Sequence, residues 1–278
     1  MHRLDKDVDM DINTRLGCAA ATGDLDAVQY WVAQGADIRA ENDAALRFAA
    51  ASGHLAVVEY CVVQNGDIRS EDNEALRWAA GYGHLHIVKY CVAQGGNIRA
   101  ENDHALRWAA ISGHLDVVKY CFEEHGCDIR AYGDEALCGA AQNGHLDVVK
   151  YCVEQGAAFQ PVNDRALLWA AARGHLDVVK YCVENGAKND RALSAAAARG
   201  QLDVVQYLVA QGGDIRAHDD LALRLAGQNG HFDVVAYFRE HSERMEILRQ
   251  EKDALEKKSI QTAAIKNKQR NLRVFLRR

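Results

Sequence analysis

The sequence predicts an all-α solenoid of eight short helical pairs joined by stubby loops. Three observations predict it. A glycine recurs at 23, 53, 83, 113, 144, 174, 200 and 230, and the residues around it recur with it. Apolar residues inside each unit fall at helical spacing, as Leu55, Val58 and Val62 do. Neither helix of a unit exceeds about three turns, which is marginal alone in water, so the apolar faces must be buried against neighbouring units.

The unit from Asp43 to Asp72 shows how each element arises. Asp43 is expected to cap the first helix, its carboxylate accepting from the free amides of the first turn. Ala44 to Ser52 is rich in helix formers, and Gly53 supplies the left-handed residue that ends the helix. A second helix follows and closes at Gly66. Asp67-Ile68-Arg69-Ser70-Glu71-Asp72 reads as an extended stretch and a turn. The same division gives a lead-in over 1–12, units at 13–42, 43–72, 73–102, 103–133, 134–163, 164–189, 190–219 and 220–241, and a tail over 242–278. Two irregularities stand out, Ala157 to Val162 in the fifth unit and Gly186 to Arg191 in the sixth. The second, four residues short, is expected to be the weakest junction.

Composition narrows the function classes. The chain has 278 residues, 49% hydrophobic and 26% charged, with one Pro. That excludes collagen-like, disordered and disulfide mini-protein classes. No run of 18 apolar residues could span a membrane, and Met1 to Asp7 carries no apolar stretch for export. An intracellular, cytoplasmic protein is therefore expected, with its eight Cys as thiols. Net charge is −6, but the tail holds eleven basic and five acidic side chains, which leaves the rest at −12. An acidic body argues against nucleic acid as its partner.

Ala49-Ala50-Ala51-Ser52-Gly53-His54-Leu55 and Gly35-Ala36-Asp37-Ile38 resemble the ankyrin repeat, and the resemblance recurs eight times over about four-fifths of the chain. The unit is 30 residues rather than 33, and the loop loses the difference. Ala44-Ala45-Leu46-Arg47, Glu74-Ala75-Leu76-Arg77 and His104-Ala105-Leu106-Arg107 stand where the family usually has Thr-Pro-Leu-His. This shortened, Tyr-Cys-bearing unit is similar to ankyrin families of giant amoeba-infecting viruses. The resemblance implies a protein-interaction scaffold, monomeric and without cofactor, that offers a concave groove lined by first helices and loops.

Three ladders recur. Cys61, Cys91, Cys121, Cys152 and Cys182 share one slot. Stacked repeats set equivalent residues about 8–10 Å apart, too far for disulfides or a shared zinc ion, so they read as small core residues. His54, His84, His114, His145, His175 and His231 read as turn residues bonded to local backbone. Tyr30, Tyr60, Tyr90, Tyr120, Tyr151, Tyr181, Tyr207 and Tyr237 read as rings half-buried with wet hydroxyls. No Gly-x-Ser-x-Gly, phosphate loop, His-Glu-x-x-His or Cys-x-x-Cys occurs, so no catalytic, metal or cofactor site is expected.

A unique partner must be read by residues that differ between units. The two positions before each recurring Gly do differ, and they supply Ser52, Tyr82, Ser112, Asn143, Arg173 and Arg199 as candidates. Trp78 and Trp108 occupy equivalent slots, preceded by Arg47, Arg77 and Arg107; Trp, Tyr and Arg are the residue types of interface hot spots. Competing readings are inter-repeat core for the tryptophans and pairing with acidic loops for the arginines. The tail is expected either to cap the last unit over Phe232 and Phe238 or to dock a second partner or an anionic surface through its basic end.

Overall fold

The computed structural model describes residues 10–157, 165–187 and 190–275, with side chains through Thr262. The chain alternates α1 (Ile12–Thr22), α2 (Leu25–Ala33), α3 (Ala40–Ser52), α4 (Leu55–Val63), α5 (Ser70–Gly81), α6 (Leu85–Ala93), α7 (Ala100–Ser112) and α8 (Leu115–Lys119). A π-helical turn over Tyr120–Glu124 extends α8. There follow α9 (Ala131–Asn143), α10 (Leu146–Glu154), α11 (Arg165–Arg173), α12 (Leu176–Glu184), α13 (Asp190–Ala198), α14 (Leu202–Ala210), α15 (Ala217–Gln228) and α16 (Phe232–Phe275). Each first helix packs on the first helix of the next unit, and each second helix on the next second helix, in chain order. Among the described residues there is no strand.

The core is one continuous strip. Leu46, Leu76, Leu106, Leu137, Leu167 and Leu193 are all fully buried between consecutive first helices, each gaining about 1.5–3 kcal/mol from leaving water. The Cys ladder sits beside them, also buried, and none of the eight cysteines is in a disulfide. Burial pushes the thiols of Cys61, Cys91 and Cys152 up to about 12, which marks them as unreactive filler.

The recurring Gly has two jobs. Gly23 (φ 74°) and Gly53 (φ 85°) end their helices in the left-handed region. A Cβ at Gly23 would also lie 2.4 Å from Nδ1 of His54. Each imidazole thus lies flat on the glycine of the preceding unit. The Nε2 atoms of His54 and His84 reach the carbonyls of Ala21 and Ala51, at 3.2 and 3.1 Å. His54, His84, His175 and His231 therefore bond backbone as expected, but across the junction between units.

The stubby loop is a left-handed turn. Glu41, Asn42 and Asp43 all have φ between 51° and 61°, and 71–73, 101–103, 132–134 and 218–220 repeat the conformation. This overturns the expected role of Asp43. With φ at 61° it does not cap its own helix; its Oδ1 accepts from the N–H of Asp67, at 2.8 Å, and from Arg39. Asn73 and Asp103 hold Asn97 and Asp128 the same way. In these three units the polar residue at this slot ties the start of the first helix to the loop that closes the same unit.

The tail departs from the capping one of its two expected roles. The second helix of the last unit runs on without a break through Phe275. Phe238 is buried, but Phe232 is 75% exposed, and residues 243–262 are exposed throughout. This helix does not fold back as a cap. The irregular stretch 158–162, the short loop at 188–189 and the side chains of Lys266, Lys268, Arg270, Arg273, Arg277 and Arg278 lie outside the described residues.

Candidate partner-binding face

The left-handed turns explain the arginines. Arg77 donates from Nε to the Asp72 carbonyl and from Nη2 to that of Glu71, at 3.1 and 2.9 Å. Arg47 holds Asn42 and Glu41 in the same way, and Arg107 holds Asn102 and Glu101. Their remaining donors bridge to the next unit, Arg47 to Glu74 and Arg107 to Glu135. These guanidinium groups are engaged within the array, clamping turns that glycine-free sequences rarely adopt. Sequence reading saw the Arg slot but not the turn, because Glu-Asn-Asp does not announce three left-handed residues.

The aromatic slot builds a surface. Phe48 and Trp78 stack, with ring centroids 6.2 Å apart and an interplanar angle of 18°. Trp78 and Trp108 are half-buried. Tyr82 leans on Trp108 at 5.7 Å and is itself 54% exposed. Gly81 allows this approach, since a Cβ there would meet the Trp108 ring at 2.4 Å. His104 also packs edge-on against Trp108 at 5.4 Å, with its Nδ1 buried and unbonded. Burial, then the charges of Arg77 and Arg107, hold this imidazole below its ordinary pKa.

The remaining candidates spread along the same ridge. Ser52, Arg173 and Arg199 are exposed, and Ser112 is half-buried. Asn143 is exposed but donates to the Ile111 carbonyl at 2.7 Å, so part of its polarity is used between units. Trp169, absent from the sequence-derived set, shares the aromatic slot and is 40% exposed. Its signal was its register with Trp78 and Trp108, interrupted by Gly139.

At the start of the array lies a recess of about 260 Å³ between α1 and α3. Its floor is Leu16, Gly17, Ala21, Ala44, Ala45 and Phe48. Cys18 is exposed at its edge, and Asp37 and Glu41 stand at the rim. Exposed carboxylates continue along the loop tips at Glu71, Asp72 and Glu101.

The family described as ankyrin repeats matches in three copies, over residues 46–132, 125–192 and 167–251. The chain belongs to the ankyrin-repeat family. No curated protein matches it. Ankyrin repeats are modules of protein–protein interaction, and here their first helices carry the ridge of Tyr82, Trp108, Trp169 and Arg173. Among the described residues no helix is long and apolar enough to cross a membrane, and no group of three or more His, Cys, Asp or Glu could hold a metal ion.

Proposed function

We propose that this ankyrin array is a non-catalytic scaffold holding one protein partner on its concave face. The contact centres on Tyr82 and Trp108 and extends through Ser52, Ser112, Trp169, Arg173 and Arg199. The observation that carries this reading is Tyr82: a large ring, more than half exposed, backed by a tryptophan that keeps it from collapsing onto the array. Such rigid aromatic anchors dominate interface energetics, with about 2 kcal/mol or more lost on truncation. Arg47, Arg77 and Arg107 support this face by fixing the turns beside it, and Trp78 by stacking under Phe48. The acidic loop tips favour a partner other than nucleic acid. The shortened unit supports an origin among the ankyrin families of giant amoeba-infecting viruses and action, as a monomer, in the cytoplasm of a host cell.

Affinity capture from the native host with quantitative mass spectrometry tests the face. Tyr82→Ala with Arg173→Ala is expected to lower recovery of the specific partner by about tenfold or more, with the melting midpoint nearly unchanged. Equal recovery would place the contact elsewhere.

A second reading makes the protein an adaptor, and the exposed α16 favours it. Its helix continues well past the last repeat with a basic far end. Removing 242–278 is then expected to abolish recruitment of a second partner or an anionic surface while the array still folds. Retained function in the truncated chain would remove this reading.

A further inference from the structure

We propose that the recess between α1 and α3 receives an arginine side chain of the protein partner. The inference rests on the concave face being the partner face. Its basis is how the array fills the same place at two later junctions. Between the second and third units Arg47 lies across the groove toward Glu74, its guanidinium carbon 5.8 Å from the centre of the Trp78 ring. Between the fourth and fifth units Arg107 reaches Glu135, its guanidinium carbon 4.4 Å from the Tyr132 ring centre.

At the first junction the corresponding residues are Gly17 and Ala44, so neither half of the bridge exists. What remains is the vacated space: a small-residue floor that suits an aliphatic stem, and Phe48 where Trp78 stands for Arg47. The carboxylates of Asp37 and Glu41 lie at the mouth, both exposed. Arginine fits this set better than lysine, because its planar, weakly hydrated head stacks on rings and pairs with carboxylates together. A purely apolar side chain would bring no charge to Glu41 or to Asp37, whose Oδ1 already accepts from the Arg39 N–H.

The test is an amide NMR titration of the full chain with N-acetylargininamide, N-acetyllysinamide and N-acetyltryptophanamide. Saturable shifts are expected at Gly17, Cys18, Ala44 and Ala45 with the arginine compound, at an affinity at least about fivefold above the other two. A double variant, Gly17→Arg with Ala44→Glu, rebuilds the bridge of the later units. Space permits it, since a Cβ at Gly17 would stand 3.6 Å from the Phe48 ring. That variant is expected to melt at a higher temperature and to lose the arginine response. Absent or unsaturable shifts, a preference for the tryptophan compound, or an undiminished response in the filled variant would each overturn the proposal. So would a response that appears only after residues 1–9 are deleted, which would assign the recess to the chain's own leading segment. Partner capture that still depends on Tyr82 would leave the concave-face reading standing in all these cases.

Discussion

Arg77 engages the acidic loop that the sequence offered as one of its two roles, but through the loop's backbone and not its carboxylates. It holds two carbonyls of a turn whose backbone L-residues disfavour by roughly 1–2 kcal/mol per residue. Arg77→Ala is therefore expected to lower stability by about 1–2 kcal/mol in urea denaturation. Arg77→Lys is expected to recover little, because an ammonium cannot reach both carbonyls in one plane. A wild-type midpoint in either variant would mean that the turn holds itself. The same slot is Cys138 in the fifth unit, and there Gly133 sits mid-turn at φ 67°, removing part of the strain the missing Arg would have managed. The presence of Arg was legible in sequence. Its target was not, because backbone carbonyls leave no trace in residue identity.

The elements were legible where their signal is chemical and local. Helix pairs, terminal glycines and the buried Cys slot follow from residue type and spacing. The loops were not, since a left-handed run of Glu, Asn and Asp is held by a partner five or six residues on and by the neighbouring unit. Glu71→Gly is expected to stabilise the array by about 0.5–1 kcal/mol, because glycine adopts φ near 50° without a Cβ clash. A loss of stability in urea titration would show that the side chain, which accepts from Asn42, outweighs the strain. The fourth unit carries one residue more, visible as a spacing of 31. Its use becomes clear only in three dimensions. The loop slot is glycine at 66 and 96 and alanine at 36, 157 and 187, its N–H donating in each case to the carbonyl five residues back. The fourth unit places Cys127 there, and its helix end widens into the π turn to absorb the extra residue, so that Cys127 N–H reaches six residues back to Cys121.

At the level of the whole molecule, stability is a sum of junctions, and two histidines, His84 and His104, make that sum sensitive to acid. His84 is held below its ordinary pKa by burial, opposed by its bond to the Ala51 carbonyl, and His104 is shifted the same way. The folded array thus keeps both rings neutral while an unfolded chain takes up protons as pH falls through about 6.5. Their contribution is complete above that pH and is lost as pH drops toward the lowered folded values. The melting midpoint is expected to be lower at pH 5.5 than at 7.5, and the difference to shrink in His84→Gln, a residue the seventh unit carries at this slot as Gln201. An unchanged difference in that variant would exclude His84 as a source. The outer side has its own long-range pattern: Lys89, Lys119, Lys150 and Lys180 each lie 5.0–5.8 Å above the tyrosine ring of the following unit. The recurring Lys-Tyr pair was visible in sequence, but only stacking reveals that the lysine serves its neighbour's ring. Finally, α16 spans 44 residues, about 66 Å at the α-helical rise, and its root is anchored by buried Val234 and Phe238. A rod fixed at one end sets a bearing as well as a distance, so cargo at its tip would be held outboard, clear of anything seated between the first helices.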